Sequence, residues 1–431
     1  MGTGALVPPI DPAEIGAVVR AAIDAGHLSS DAPAVLFHDL GRLARGLAVL
    51  ASTFPPSALH AVAIKANPVV GALRHLVARG AGLEAASFEE LEIARAAGCP
   101  ADRVVYDSPA KTEPEIARAL ERGVRINADN EAELARIDRM MRDRPSASRL
   151  GVRLNPAVGA GAIAATSVAT RTSKFGIAIP EDPRDLAPLF DRYAWLTGVH
   201  VHVGSQGVSL EQLVAGARRA WDVITAVHAA LGRTQVRWLD IGGGLPAVYR
   251  PSDAPPSARD WADALARAVP ALFDGSIELV TEVGRALQAP CGFAISRVEH
   301  VKEASGERQA VIHVGADLFV RPTYAPSYWY HEIAVLDARG ERKHGPKQPW
   351  TIVGPLCFAG DVLARDRPLP PIEPGDLVFV RDVGAYTLGM WSRHCSRAIP
   401  AVLGYEDARV AELRVLKPRE TPEDVVRAWG G

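Results

Sequence analysis

Ala61-Val62-Ala63-Ile64-Lys65-Ala66-Asn67 is the stretch whose reading decides the fold. An apolar run stops abruptly at a lysine, and a helix-like segment from Gly71 to Arg79 follows it. That is the pattern of a short buried strand delivering one cation to its C-terminal end. An ammonium there is costly to bury without a partner, because desolvation favours the neutral amine. Such a lysine is either paired for structural reasons or used as an amine nucleophile on a carbonyl. Alone, the stretch favours the structural reading, and the ends of the later strands shift the balance.

Downstream the same texture repeats. Apolar runs at Ala61 to Ile64, Leu83 to Ala86, Arg103 to Tyr106, Arg125 to Ala128, Gly151 to Leu154, Gly198 to Val203, Arg237 to Ile241 and Glu278 to Glu282 alternate with amphipathic segments. Examples of the latter are Phe88 to Ala97, Glu113 to Arg122, Asn130 to Met141, Leu210 to Leu231 and Ala258 to Phe273. Eight such units in roughly 220 residues meet the requirement of a closed eight-stranded parallel barrel. An open doubly wound sheet has the same periodicity. The connection from Pro156 to Leu189 is the weakest part of the count. Upstream, Asp11 to Ala25 reads as a helix, and Ala34 to Phe37 as a strand outside the barrel pattern that belongs to another domain. After about Cys291 the apolar runs are separated by turn residues with no long helices between them. They are Ile295 to Val301, Gln309 to Val314, Glu332 to Leu336, Trp350 to Val353, Asp376 to Arg381 and Arg409 to Val415, and they fit a mixed or antiparallel β domain. Pro368 to Pro374 reads as a surface loop. The expected architecture is α/β: a (β/α)8 barrel over 37–290 and a mainly β domain over 291–431, joined by the N-terminal segment 1–36.

Over 431 residues the net charge is −2 with no basic face, so nucleic acid is not an expected partner. No apolar run approaches the roughly 20 residues a membrane helix needs. The N-terminus shows no charged segment followed by an apolar signal core. Cys99, Cys291, Cys357 and Cys395 are scattered, which argues for a reducing compartment and against structural zinc. A cytoplasmic protein is expected.

In a barrel of this kind the chemistry collects at the C-terminal strand ends. Those ends carry Lys65, then Glu84 with Ser87, then Arg153, then His200, His202, Gly204 and Ser205, then Gly242-Gly243-Gly244, then Glu282 and Arg285. Each has a bland explanation. Three glycines can serve only a tight turn, either histidine can be a satisfied core residue, and Glu282 with Arg285 can be a local ion pair. The two histidines lack a third ligand of convincing spacing, so no metal is expected. Together, however, the parts meet the needs of pyridoxal 5'-phosphate: an amine for its aldehyde, a carboxylate for its ring nitrogen, and phosphate donors. Lys65 supplies the first and Glu282 the second. The glycine turn, Ser205 and Arg285 supply the third, and His202 can stack on the ring.

At this point the chain resembles the fold type III pyridoxal-phosphate decarboxylases, the group of diaminopimelate, ornithine and arginine decarboxylases, with the diaminopimelate branch nearest. The resemblance runs from about Pro33 to Tyr405 and rests on eight segments in order. They are Ala63-Ile64-Lys65-Ala66-Asn67, Ser173-Lys174-Phe175-Gly176, His200-Val201-His202-Val203-Gly204-Ser205-Gln206, Asp240-Ile241-Gly242-Gly243-Gly244, Glu282-Val283-Gly284-Arg285, Arg321-Pro322, Gly354-Pro355-Leu356-Cys357 and Gly384-Ala385-Tyr386. It implies the alanine racemase-like fold. Lys65 would hold the cofactor, His202 stack on its ring, Glu282 contact the ring nitrogen, and Ser205, Gly244, Arg285 and Tyr386 surround the phosphate. Glu84, Arg153, Gly242, Gly243 and Gly284 complete the implied cofactor set. The resemblance also implies a homodimer with shared active sites, in which Cys357 comes from the partner as proton donor. The competing reading of Cys357 is a buried small hydrophobe.

Departures cluster on substrate recognition. Diaminopimelate and ornithine decarboxylases place an acid directly after the cysteine to meet a distal amine, and this chain has Phe358. Arg321 keeps the position that binds a distal carboxylate. Tyr324 and Tyr328 both stand for a displaced tyrosine, and His394-Cys395 replaces an aromatic-Asn pair. Substrate contacts are thus expected from Arg285, Arg321, Tyr324, Cys357, Phe358 and Tyr386. The expected activity is decarboxylation of an amino acid with a distal carboxylate or of a conjugated amino acid, as in secondary metabolism. The alternatives are a meso-diaminopimelate decarboxylase proper, in lysine biosynthesis, and a racemase of the same fold.

Overall fold

The computed structural model describes residues 4–431. The chain divides into two compact units. The first comprises Gly46–Ala247 and Ala254–Ala286 with the described residues up to Leu6, and the second comprises Val7–Arg45, Val248–Asp253 and Leu287–Gly431.

Eight parallel strands form the centre of the first unit: Leu59–Ala63, Gly82–Ala85, Val104–Asp107, Arg125–Ala128, Leu150–Asn155, Leu196–His200, Trp238–Asp240 and Glu278–Thr281. Each pairs in parallel with the next. The eighth returns to the first through Val280↔Leu59 and Thr281↔His60, which closes the barrel. Nearly every position in these strands is buried, as expected where helices cover one face and the barrel core fills the other. The covering helices start on strong local signals. Thr112 with Glu115, Ser209 with Gln212 and Ser257 with Asp260 form capping boxes. The connection after the fifth strand has no full helix at its start; it holds a two-residue strand, Ile177–Ala178, and then the short helix Ala187–Arg192.

The N-terminal end of the barrel is filled around one large side chain. Trp238 is fully buried, and its indole occupies the space left by Gly151 and Gly198. A Cβ on Gly198 would lie 2.0 Å from Trp238 Cε2. The guanidiniums of Arg125 and Arg149 sit 5.7 and 5.8 Å from the ring, and Glu278 accepts from both at 2.7 and 2.6 Å. The other end, where the loops after the strands gather, is where barrels of this kind keep their chemistry.

The second unit is a nine-stranded mixed sheet whose main path runs 362–369, 348–353, 307–312, 292–304, 34–39, 401–405, 414–417, with 377–381 paired to 292–304 and 333–336 paired to 377–381. Ala34–Asp39 pairs antiparallel with Gly292–Ala304 and parallel with Ala401–Tyr405, as the strand outside the barrel pattern required. Phe37, Phe293, Phe379 and Tyr405 form its core with Val18, Val19 and Ala22 of the helix Gly16–Asp24. Two strands were not legible in the sequence: Val362–Leu369, which is charged and ends in Pro368-Leu369, and Ala401–Tyr405. The first is an edge strand, where proline is tolerated. The last strand begins at Arg414 rather than Arg409, because Asp407 bonds to Arg409 and turns the chain there. Among the described residues no helix is long and apolar enough to cross a membrane.

Gly198→Ala should destabilise the protein by about 1–3 kcal/mol through overpacking against the indole. Trp238→Phe in the same chain should recover part of the loss. Thermal melts of both variants test this, and absence of any recovery would show that the indole is not the obstacle.

Candidate active site

Lys65 follows the first strand in a single 3-10 turn, Ile64–Ala66, which lifts its side chain to the barrel mouth at 35% exposure. Its ammonium meets Glu84 of the second strand at 2.5 Å. Glu84 is fully buried, and burial raises its pKa to about 8 against the pull of Lys65. At the end of the third strand, Asp107 accepts a 2.8 Å bond from Arg153 of the fifth. Burial opposes the charge on Asp107, but Arg153 and His200 outweigh it and hold the carboxyl well below its usual range.

His200, fully buried, stands between two carboxylates, 3.5 Å from Asp107 and 3.7 Å from Glu282. Burial works against an imidazolium, yet Asp107, Glu282 and Asp240 raise its pKa to about 9. Glu282 is also disfavoured by burial, but His200, then His202 and Lys65, carry it down to about 2. Its Oε1 is buried without a hydrogen-bond partner. Asp240, the last residue of the seventh strand, goes the other way: burial and then repulsion from Glu282 raise it to about 8.

His202 lies just beyond the sixth strand with its Nδ1 3.4 Å from Glu282. Burial lowers its pKa, the contact with Glu282 opposes that, and the Gly243 N–H lies 3.2 Å from Nδ1. The Gly242-Gly243-Gly244 turn admits no side chains. A Cβ would lie 2.5 Å from His202 Nδ1 at Gly242, 2.4 Å from Glu282 O at Gly243 and 2.5 Å from Leu213 at Gly244, and φ is +66° and +123° at the first and third. Gly242 N–H bonds Asp240 and Gly243 N–H bonds His202, which ties the turn to both sides of the site. Arg285 donates to Ser205 Oγ at 3.0 Å, and Gly284 is buried in the segment between Glu282 and Arg285. A cavity of about 280 Å³ is lined by Lys65, Asp107, Arg153, His202 and the Lys174-Phe175 pair, with the Arg153 guanidinium 4.4 Å above the Phe175 ring.

His200, His202 and Glu282 each bring one atom within 4.8 Å of the others, close enough for a divalent cation. A metal needs a lone pair from each, and the carboxylates beside His200 favour its protonated ring, a proton that a metal would have to displace. The pyridine cofactor is the better fit: a protonated ring nitrogen would satisfy the orphaned Glu282 Oε1, with an amine and a flat neutral imidazole beside it.

The second unit holds the remaining residues singled out in the sequence. Arg321, on the short helix Val320–Tyr324, is partly buried, with its guanidinium 4.6 Å from the ring centres of both Trp329 and Tyr386. Tyr386 adopts φ +56°, a conformation costly for a side chain and typical of constrained functional positions. Phe358 stacks on Tyr324 at 5.7 Å and 19°, and meets His394 edge-on at 6.5 Å. Cys357 is exposed, so it is not a buried hydrophobe. Sequence reasoning missed Asp107, because the third strand was read as ending at Tyr106, and it quoted Asp240 without giving it a role.

Residues 40–289 match the pyridoxal-binding domain of the pyridoxal-dependent decarboxylases. The chain belongs to that family. It is a carboxy-lyase that depends on pyridoxal 5'-phosphate. It is 31% identical to a diaminopimelate decarboxylase of Methanothermobacter thermautotrophicus, over 85% of this chain and 83% of that one. It is 33% identical to the diaminopimelate decarboxylase of Pseudomonas aeruginosa over 84% of each. Its fold is similar to that of Helicobacter pylori diaminopimelate decarboxylase complexed with L-lysine, with TM-score 0.81, 26% identity and coverage of 92% and 96%.

In cofactor-free protein, His200→Gln should cost stability that depends on pH. A group raised from 6.5 to about 9 contributes fully below 6.5, and its contribution is lost as pH rises through 9. The gap between wild type and variant should be on the order of 3 kcal/mol near pH 6 and shrink near pH 10. Urea unfolding at the two pH values measures it. An equal gap at both would show that His200 is not held as an imidazolium.

Proposed function

We propose that the chain decarboxylates an amino acid whose distal end is a carboxylate or a conjugated group rather than a free amine. One observation carries the reading. The ring at Phe358 is packed between Tyr324 and His394, whereas Arg321 is fixed between Trp329 and Tyr386. Arginine is the side chain suited to a carboxylate fork, and three neighbouring rings offer an ammonium no full counter-charge.

The cofactor residues act in the barrel unit. When bound, the cofactor supplies a sink for the electron pair left on Cα as CO2 departs. Lys65 would hold the cofactor through its aldehyde. Glu282, kept ionised, holds the proton on the ring nitrogen, which makes the sink a full one and favours decarboxylation over racemisation. In this reading His202 would stack on the ring, Gly244, Ser205, Arg285 and Tyr386 would hold the phosphate, and Glu84, Arg153, Gly242, Gly243 and Gly284 would shape the surroundings. The Cys357 thiol returns a proton to Cα, and in this reading it comes from the partner subunit of a homodimer. The exposure of Cys357 supports that role. The four free cysteines fit a reducing cytoplasm.

A second reading, a meso-diaminopimelate decarboxylase proper, is favoured by the similarity to relatives of that name at 31% and 33% identity. CO2 release by cofactor-loaded protein separates the two, on meso-diaminopimelate, lysine, ornithine, arginine, glutamate and N-acylated diamino acids, with Lys65→Ala as the blank. The expected result is release from a distal acid or conjugate with little from free diamino acids. Phe358→Glu should then raise kcat/KM for meso-diaminopimelate by about tenfold or more, the worth of a new charge-assisted contact. Brisk wild-type turnover of meso-diaminopimelate would remove the argument from Phe358.

A further inference from the structure

We infer that Asp361 is a positioning residue that fixes the Cys357 turn and the entry to the Arg321 helix with one carboxylate. The inference rests on the role proposed above for Cys357.

Asp361 closes the turn that begins at Gly354, and it is only 4% exposed. Both of its oxygens are occupied by backbone donors from two different segments. Oδ1 accepts from the Ala316 N–H at 2.5 Å, and Oδ2 accepts from the Leu356 N–H at 2.7 Å. The main chain closes the same turn, with Gly354 N–H donating to Asp361 O and Asp361 N–H donating to Phe358 O, each at 2.9 Å. Two glycines leave room for the carboxylate. A Cβ on Gly315 would lie 2.2 Å from Oδ1, and one on Gly354 would lie 2.3 Å from Oδ2.

The two held segments carry the candidate substrate chemistry. Leu356 immediately precedes Cys357, so the bonded amide is one residue from the thiol. Ala316 lies four residues before the helix Val320–Tyr324, and Asp317 ties that approach by accepting from Gly315 and Leu318 at 2.8 and 2.9 Å. The Phe358–Tyr324 stack spans the same junction a second time. Charge-assisted bonds to a buried carboxylate are the stronger kind, and their geometry is fixed by both partners. Losing the carboxylate should therefore disturb the thiol and the guanidinium together.

The test is Asp361→Asn in the cofactor-loaded enzyme, which replaces one of two acceptors by a donor, with Gly354→Ala as an independent variant that displaces the same carboxylate. The readouts are the rate of Cys357 alkylation followed by peptide mass spectrometry, the split of kcat from KM, and cofactor absorbance. We expect altered Cys357 alkylation in both variants. In Asp361→Asn, kcat should fall on the order of tenfold to a hundredfold and KM should rise, with the cofactor band unchanged. Unchanged alkylation and kinetics in both variants would overturn the inference. Full turnover by Cys357→Ala would instead remove the proton-donor reading, and altered alkylation in the two variants would still support a loop positioned by Asp361.

Discussion

The arrangement at the barrel mouth depends on keeping Glu282 charged where water does not reach it. An isolated buried carboxylate takes up a proton rather than pay for desolvation, and the penalty is several kcal/mol per ion. Here it is held at a pKa of about 2 because His200 is pressed against it and stays protonated itself. His200 in turn is charged because Asp107 lies on its other side, and Asp107 is ionised because Arg153 binds it. The result is a line of alternating charges running from the fifth strand through the third and sixth to the eighth. Asp240 and Glu84, which lie beside the line rather than in it, have pKa values raised to about 8. The same low dielectric thus carries two carboxyls down and two up, according to the charges that face each one.

That line exists only in a closed barrel. Asp107, Arg153, His200 and Glu282 are separated by up to 175 residues, and parallel closure sets their strand ends side by side. Two features protect the arrangement. At the far end, Trp238 and its arginine and glutamate neighbours fill the interior, so the polar groups face one opening. At the near end the three glycines let the backbone pass within contact distance of His202 and the Glu282 main chain, and two of their amides fix Asp240 and His202 in place.

Much of this was legible in the sequence, and the reasons for the gaps are physical. Lys65, Glu282 and the glycine turn stand directly after apolar runs, so a strand-end rule finds them without knowledge of register. Asp107 also ends a strand, but an aspartate after Val104-Val105-Tyr106 reads equally as a turn residue, and only its pairing with Arg153 gives it a role. Trp238 could not be understood from sequence, because its significance lies in facing Gly151 and Gly198 across the barrel. In the second unit, Val362–Leu369 was hidden by Arg365-Asp366-Arg367 and Pro368, since an edge strand need not alternate cleanly.

The cysteines show how exposure turns a composition into chemistry. Cys291 is sealed in the interior and burial pushes its thiol up, while Cys99 is partly buried and pushed to about 11, so neither readily forms a thiolate. Cys357 and Cys395 are exposed. Of these, Cys395 sits at φ +59° in a kinked turn after His394, whereas Cys357 follows an amide anchored to a buried carboxylate. A proton donor must be both reachable and held at a defined place. In the role proposed for it, Cys357 would be reachable by its exposure and held through the Leu356 amide, one residue from its own backbone.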